Sequence, residues 1–351
     1  MIMIIFGAGA SYDSVASARP ETFPSHPDRP PLAAHLFDER FTVFVKEFPQ
    51  CIPIIPELRA VSTTGDTTEH RLEKLQEEGK TDAERLRQLA AIRCYIRGLI
   101  SMCDIDWDRV AGGITNHAPL LDQLRRVRAC FEPEAILLVT FNYDRMIERT
   151  LAAHHNMPIS QFQHYIESDT FKLFKLHGSV DWAHRVTSRV DCPTPHSAKA
   201  MAHELIKNAP NLEFADQFIM VKDFSIEQAG DIPLFPAIAL PVETKTAFEC
   251  PADHLDCFRE HLGKITKVVT IGWAGQEQHF LKLLKERLTE EISIYAVAGN
   301  KQEAEGVLQR IKDAGICVKD EKAAPGGFTE CTANREFDKF LRMANDRTAT
   351  C

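Results

Sequence analysis

Four short polar motifs each follow directly on an apolar run, and each carries residue types suited to chemistry. Gly7-Ala8-Gly9-Ala10-Ser11 follows residues 1–6, Asn142 and Asp144 follow residues 135–140, His177 follows residues 171–176, and Gly272-Trp273 follows residues 267–271. Small residues let backbone N–H groups approach a phosphate, and a helix N-terminus adds partial positive charge. A tight strand-to-helix turn without any ligand uses the same residues. Asn142 and Asp144 are two apart, so extended backbone turns both to one side, although both are also ordinary turn residues. An imidazole such as that of His177 titrates near neutrality in water, which suits proton transfer; a satisfied structural histidine is the alternative. The loop from Gly272 to Gln276 fits either a ligand or routine helix capping. Gly299 and Asn300 end a fifth apolar run, where the chain comes close to a ribose or adenine or simply turns.

The elements that must position these groups read as alternating strands and helices. Residues 1–6 are continuously apolar and stop at glycine, the pattern of a strand buried on both faces of a parallel sheet. Residues 135–141, 171–176, 236–240, 267–271 and 292–297 read as further strands, with helices at 143–154, after 276 and at 302–314; residues 316–318 add a short strand. This alternation predicts an α/β fold, a Rossmann-like, doubly wound, mostly parallel sheet. In such sheets ligands bind beyond the carboxyl ends of the strands. All four motifs fall on that edge, and their convergence says more than any one of them. Between the first and second strands, residues 32–131 show helical spacing of apolar residues in a charged background. They are expected to form an inserted helical module. Residues 1–31 give the first strand, the glycine loop and a Pro-rich lid (Pro20, Pro24, Pro27, Pro30, Pro31), and residues 132–319 the rest of the core, with an irregular insertion at 184–235. Residues 320–351 read as a polar C-terminal tail.

Composition narrows the function classes. The chain has 351 residues, 44% hydrophobic, enough for a large packed domain. With 41 Lys and Arg against 50 Asp and Glu, its formal charge is −9, which makes direct nucleic-acid binding an unexpected role. None of the ten cysteines forms a C-x-x-C pair, so neither a zinc knuckle nor a redox dithiol is expected, and reduced thiols fit a cytoplasmic protein. No signal peptide or membrane span is read. A dehydrogenase is also disfavoured: Tyr12 stands where the usual dinucleotide fingerprint has its third glycine, and no acidic residue ends a second strand about 20 residues on.

Taken in order, GAGAS, TFNYD, LHGSVDW and IGW-x-x-x-E resemble the Sir2-like superfamily, and in particular its divergent prokaryotic branch of NAD-consuming effectors in anti-phage defence. The match spans residues 1–300 as ordered islands. The resemblance implies an NAD glycohydrolase with NAD as substrate and no metal. Gly7, Ala8, Gly9, Ala10 and Ser11 would cradle the pyrophosphate, and Asn142 and Asp144 would lie beside the nicotinamide ribose and carboxamide. His177 would be the catalytic histidine, assisted by Asn142. Gly272 and Trp273 would border the adenosine half, with Gly299 and Asn300 beyond. It also implies gating through a homo-oligomer or a defence partner, such as an ATPase or a nucleic-acid-sensing subunit. Protein deacylases of the superfamily carry a zinc module of two C-x-x-C pairs after the histidine; this chain lacks those pairs, which sets deacylation behind hydrolysis, and the presence of Asn142 and His177 together sets a non-catalytic NAD or ADP-ribose sensor behind it too.

Overall fold

A computed structural model of the chain describes residues 1–14, 30–64, 66–111, 115–131, 134–191, 197–221, 228–229, 232–242 and 247–343. Among these residues ten strands run β1 (Ile2–Phe6), β2 (Ile136–Thr140), β3 (Phe171–Lys175), β4 (Gly178–Val186), β5 (Phe214–Met220), β6 (Gln228–Ala229), β7 (Ile232–Ile238), β8 (Lys267–Ile271), β9 (Ile292–Val297) and β10 (Val318–Ala324). Six of them form one parallel sheet in the order β10-β9-β8-β1-β2-β3. The fold is therefore α/β and Rossmann-like, with helices flanking the sheet.

The sheet's centre follows from its sequence. β1, β2 and β8 are buried along their whole length, as a strand covered on both faces must be. β1 pairs with β2 on one side and β8 on the other. The strand order thus reverses at β1, and the crevice of a doubly wound sheet opens at such a reversal. Around the sheet lies a first core, to which the helices Met146–His155, Ala252–Leu262, Gln278–Arg287 and Lys301–Asp313 contribute Leu151, Phe258, Phe280 and Val307.

A second core lies beside the first. Within residues 32–131, the helices Ile55–Thr64, Thr68–Gly79 and Ala83–Ala111 bury Leu58, Leu72, Ile92, Tyr95 and Leu99 together with Val180, Phe235 and Ile238 of a second sheet. The helix His117–Phe131 instead buries Leu120, Leu121, Leu124 and Val127 in the core of the main sheet.

The stretch 184–235, read from sequence as irregular, holds most of that second sheet, which is antiparallel with the order β5-β4-β7-β6. The strand expected at 236–240 accordingly belongs here as β7, not to the parallel sheet. Residues 318–343 are also ordered structure: β10 is the parallel edge strand, and the helices Gly327–Ala333 and Arg335–Arg342 bury Phe328, Phe337 and Leu341 in the main core. Pro20, Pro24 and Pro27 of the expected lid lie outside the described residues. Among the described residues, no helix is long and apolar enough to cross a membrane.

Candidate active site

The carboxyl edge of the parallel sheet opens into a cavity of 1210 Å³. Its floor is the junction of β1 and β8. Gly7 N donates to Ile271 O (3.1 Å) and Gly9 N to Gly272 O (3.0 Å). The two turns approach so closely that a Cβ on Gly272, whose φ is +59°, would stand 2.3 Å from Ala10 N, and one on Gly7 would stand 2.5 Å from Gly272 O. The glycines thus first serve the contact between two turns. Ala10 N donates to Gly7 O (2.9 Å), so three of the loop's amides are already engaged inside the protein.

Asn142 and His177 arrive by equal routes. Thr140 and Lys175 are register partners at the ends of the neighbouring parallel strands β2 and β3. Asn142 and His177 each follow their partner by two residues, so they stand level on adjacent strands. Both line the cavity, as do Gly7, Ala8, Gly9, Ser11, Asp144, Gly272, Trp273, Gly299 and Asn300. Ala10 alone of the sequence-identified residues is absent from the lining; it is fully buried behind the loop.

The polar groups form one connected chain. Asn142 Nδ2 donates to Gly7 O (2.8 Å) and to Ser11 Oγ (2.7 Å), and Ser11 Oγ donates to Asp144 Oδ2 (2.5 Å). Asp144 Oδ1 accepts from Met146 N (3.1 Å), which starts the following helix. A carbonyl can only accept, so the amide nitrogen of Asn142 must face Gly7. Both its hydrogens are then committed, and what Asn142 can offer a ligand is the acceptor Oδ1.

His177 is fixed by backbone pairing on both flanks. Its carbonyl accepts from Ala239 N (2.9 Å), and it bridges Glu249. The imidazole lies 4.7 Å from the Phe141 ring, and Phe141 stacks on Trp273 at 5.9 Å. Immediately after the histidine, Gly178 adopts φ +83°, where a Cβ would fall 2.0 Å from Ala237 O. Here the chain leaves the parallel sheet for the antiparallel one, and only glycine fits.

Trp273 Nε1 donates to Glu277 Oε2 (2.6 Å), holding a carboxylate at the cavity wall. Asn300 Oδ1 accepts from Glu303 N (2.9 Å) and so caps the helix Lys301–Asp313; its routine capping role is real, and its Nδ2 is the donor it can offer a ligand. Trp182 is fully buried against Phe162 and Tyr165, a packing residue.

Sequence reading missed other parts of the wall. Leu32, Leu36, Glu69 and Ile100 reach it from the helical module, and Gly326, Gly327 and Phe328 from the C-terminal segment. No local motif marks them, because they come to the cavity through tertiary packing alone. Among the described residues no group of three or more His, Cys, Asp or Glu could hold a metal ion.

Residues 136–213 match a family model described as a SIR2-like domain. The matched span runs from β2 to the start of β5 and contains Asn142, Asp144 and His177; the glycine loop and the Gly272–Asn300 wall lie outside it. No curated protein matches the chain.

Proposed function

We propose that this chain, whose residues 136–213 match a SIR2-like domain, is a Sir2-like protein that binds NAD along the carboxyl edge of its main sheet and hydrolyses the nicotinamide–ribose bond. The observation that carries this reading is the level placement of Asn142 and His177 on adjacent strands, both facing the cavity above the Gly7 turn. Nicotinamide in NAD is cationic and departs as a neutral molecule, so the leaving group needs little acid help. The transition state resembles an oxocarbenium ion, as in other glycosyl cleavages. Oδ1 of Asn142 orients the ribose or the incoming water. His177 takes the proton as the water oxygen bonds to the ribose carbon, a contribution of about 10²–10⁴-fold for such a base. Asp144, tied to Ser11 and Met146, sets the geometry of the Asn142 turn and favours the developing positive charge. The Gly7–Ser11 loop lies along the pyrophosphate, and Gly272, Trp273, Gly299 and Asn300 along the adenosine half.

Free hydrolysis would exhaust the NAD of the cell that makes the enzyme. The activity is therefore read as gated, in an effector of anti-phage defence controlled by self-association or by a partner protein. Quantifying nicotinamide released from NAD, with no peptide acceptor, tests the chemistry. Asn142→Ala and His177→Ala are each expected to lower release by at least ~100-fold. Nicotinamide release that required an acylated peptide would replace hydrolysis by deacylation. Tight NAD binding with no release, in the presence of the activating partner, would leave a sensor.

A further inference from the structure

Lys175 is a lysine in the interior of a parallel sheet, with a side chain 0% exposed. A buried ammonium is costly unless it is paired and hydrogen-bonded. It is both: Nζ lies 3.0 Å from Glu148 Oε1, itself buried, and it donates to the main-chain carbonyl of Asp144. Glu148 Oε1 also accepts from Tyr165 OH (3.1 Å). Lys175 does not line the cavity. Its reach to the site runs through the turn that carries Asn142 and Asp144.

That turn is also held from the main sheet, where Asn142 N donates to Thr140 Oγ1 (3.0 Å) and Phe141 N to Phe6 O (3.1 Å). Tyr143 O accepts from Val180 N (2.9 Å) and Arg145 pairs with Asp181 (3.1 Å), both on β4. Lys175, at the end of β3 and in register with Thr140, ties the turn to the strand that delivers His177. We propose that Lys175 is a positioning residue for the active site. Its ammonium, neutralised by Glu148, holds the Asp144 carbonyl so that Asn142 and His177 keep their relative placement. The inference rests on the proposed hydrolysis of NAD for its catalytic consequence, and on the geometry alone for its structural one.

Lys175→Met leaves the buried Glu148 without its paired cation, so this variant is expected to melt lower, whatever else it does. Lys175→Met combined with Glu148→Gln removes both charges and keeps an acceptor for Tyr165, and it is expected to regain much of the melting temperature. Hydrogen exchange of the 142–146 amides, divided by that of the β8 amides, separates the local effect from global stability in either variant. Both variants are expected to raise this ratio, and the double variant to lose about 10- to 100-fold in kcat with little change in KM, the signature of misplaced reacting groups. An unchanged exchange ratio in both variants, or full kcat in the double variant, would overturn the positioning role. Exchange is measured without NAD. A wild-type protein that released no nicotinamide in the presence of its activating partner would therefore refute the proposed function while the exchange ratio still decided this inference.

Discussion

Single residues in this protein carry their roles through burial as much as through type. The placement of Asn142 and His177 at the cavity was legible because each is a polar residue placed directly after an apolar strand, where nothing else calls for it. Lys175 was not: in Phe171-Lys-Leu-Phe-Lys175 the two lysines take opposite faces of the strand, and Lys175 shares its buried face with Phe171 and Leu173, whereas Lys172 is partly exposed. A periodicity of two cannot separate a wet lysine from a buried, paired one. His117 shows the same limit. It sits fully buried at the start of its helix, packed between Phe6 (5.3 Å) and Phe328 (5.1 Å), with Nδ1 near Thr115 Oγ1 (3.2 Å) and Ser14 Oγ (3.3 Å). Burial lowers its pKa from 6.5 to about 3. The folded value lies below the unfolded one, so the unfolded chain takes up the proton first. The stability this histidine supports is complete above pH 6.5 and is lost as pH falls from there toward 3. Replacing it with Gln removes the linkage. The difference in unfolding free energy between wild type and His117→Gln is expected to change by about 1.4 kcal/mol per pH unit between pH 6 and 4. Urea titrations at several pH values give that difference, and parallel curves would refute the burial argument.

At the level of elements, hydrophobic pattern located what is apolar and failed where strands are polar or change sheets. β1, β2, β8 and β9 stand where continuous apolar runs put them. β10 reads Val-Lys-Asp-Glu-Lys-Ala-Ala and is half exposed; charged edge strands resist pairing with other chains, and for the same reason they look like loop. β5 is an edge strand with Phe214 exposed. β4 begins one residue beyond His177, and its departure into the second sheet depends on the backbone of Gly178. The sequence His177-Gly178-Ser179 shows a glycine but not the reason for it, since Ala237 O lies 59 residues on from Gly178. Alanine at 178 has to adopt positive φ and displace the β7 backbone at once. Gly178→Ala is accordingly expected to destabilise the fold by more than ~1 kcal/mol, read as a lower denaturant midpoint. A midpoint equal to wild type would mean that the junction between the sheets relaxes freely.

For the whole molecule, the cavity exists only where the two cores meet. The main sheet supplies the floor, the helical module and the residues after β7 supply Glu69, Ile100, Pro241 and Val242, and the C-terminal segment supplies Gly326 to Phe328. This assembly fixes the charge of the lining. Its carboxylates are Asp13, Glu69, Asp144, Glu277 and Glu303, and Arg310 is the one lysine or arginine among the described lining residues. Arg310 is partly engaged already, donating from Nη1 to Ala274 O (2.9 Å). A cationic nicotinamide ring suits such a lining, and the two charges of a pyrophosphate must be carried largely by neutral, small-residue turns. A further phosphate on the adenosine ribose brings about two more negative charges to the wall that holds Glu303, where among the described lining residues Arg310 is the one cation to meet them. If NAD is the substrate, NADP should therefore be the poorer one, with kcat/KM lower by at least ~10-fold at low salt, since like charges inside a partly enclosed site are weakly screened. Added salt should narrow the gap, and Glu303→Lys should narrow it further by reversing one charge beside the ribose. Equal turnover of the two dinucleotides at low ionic strength would show that the adenosine end does not lie against Glu303, and would move the adenosine half to another part of the cavity.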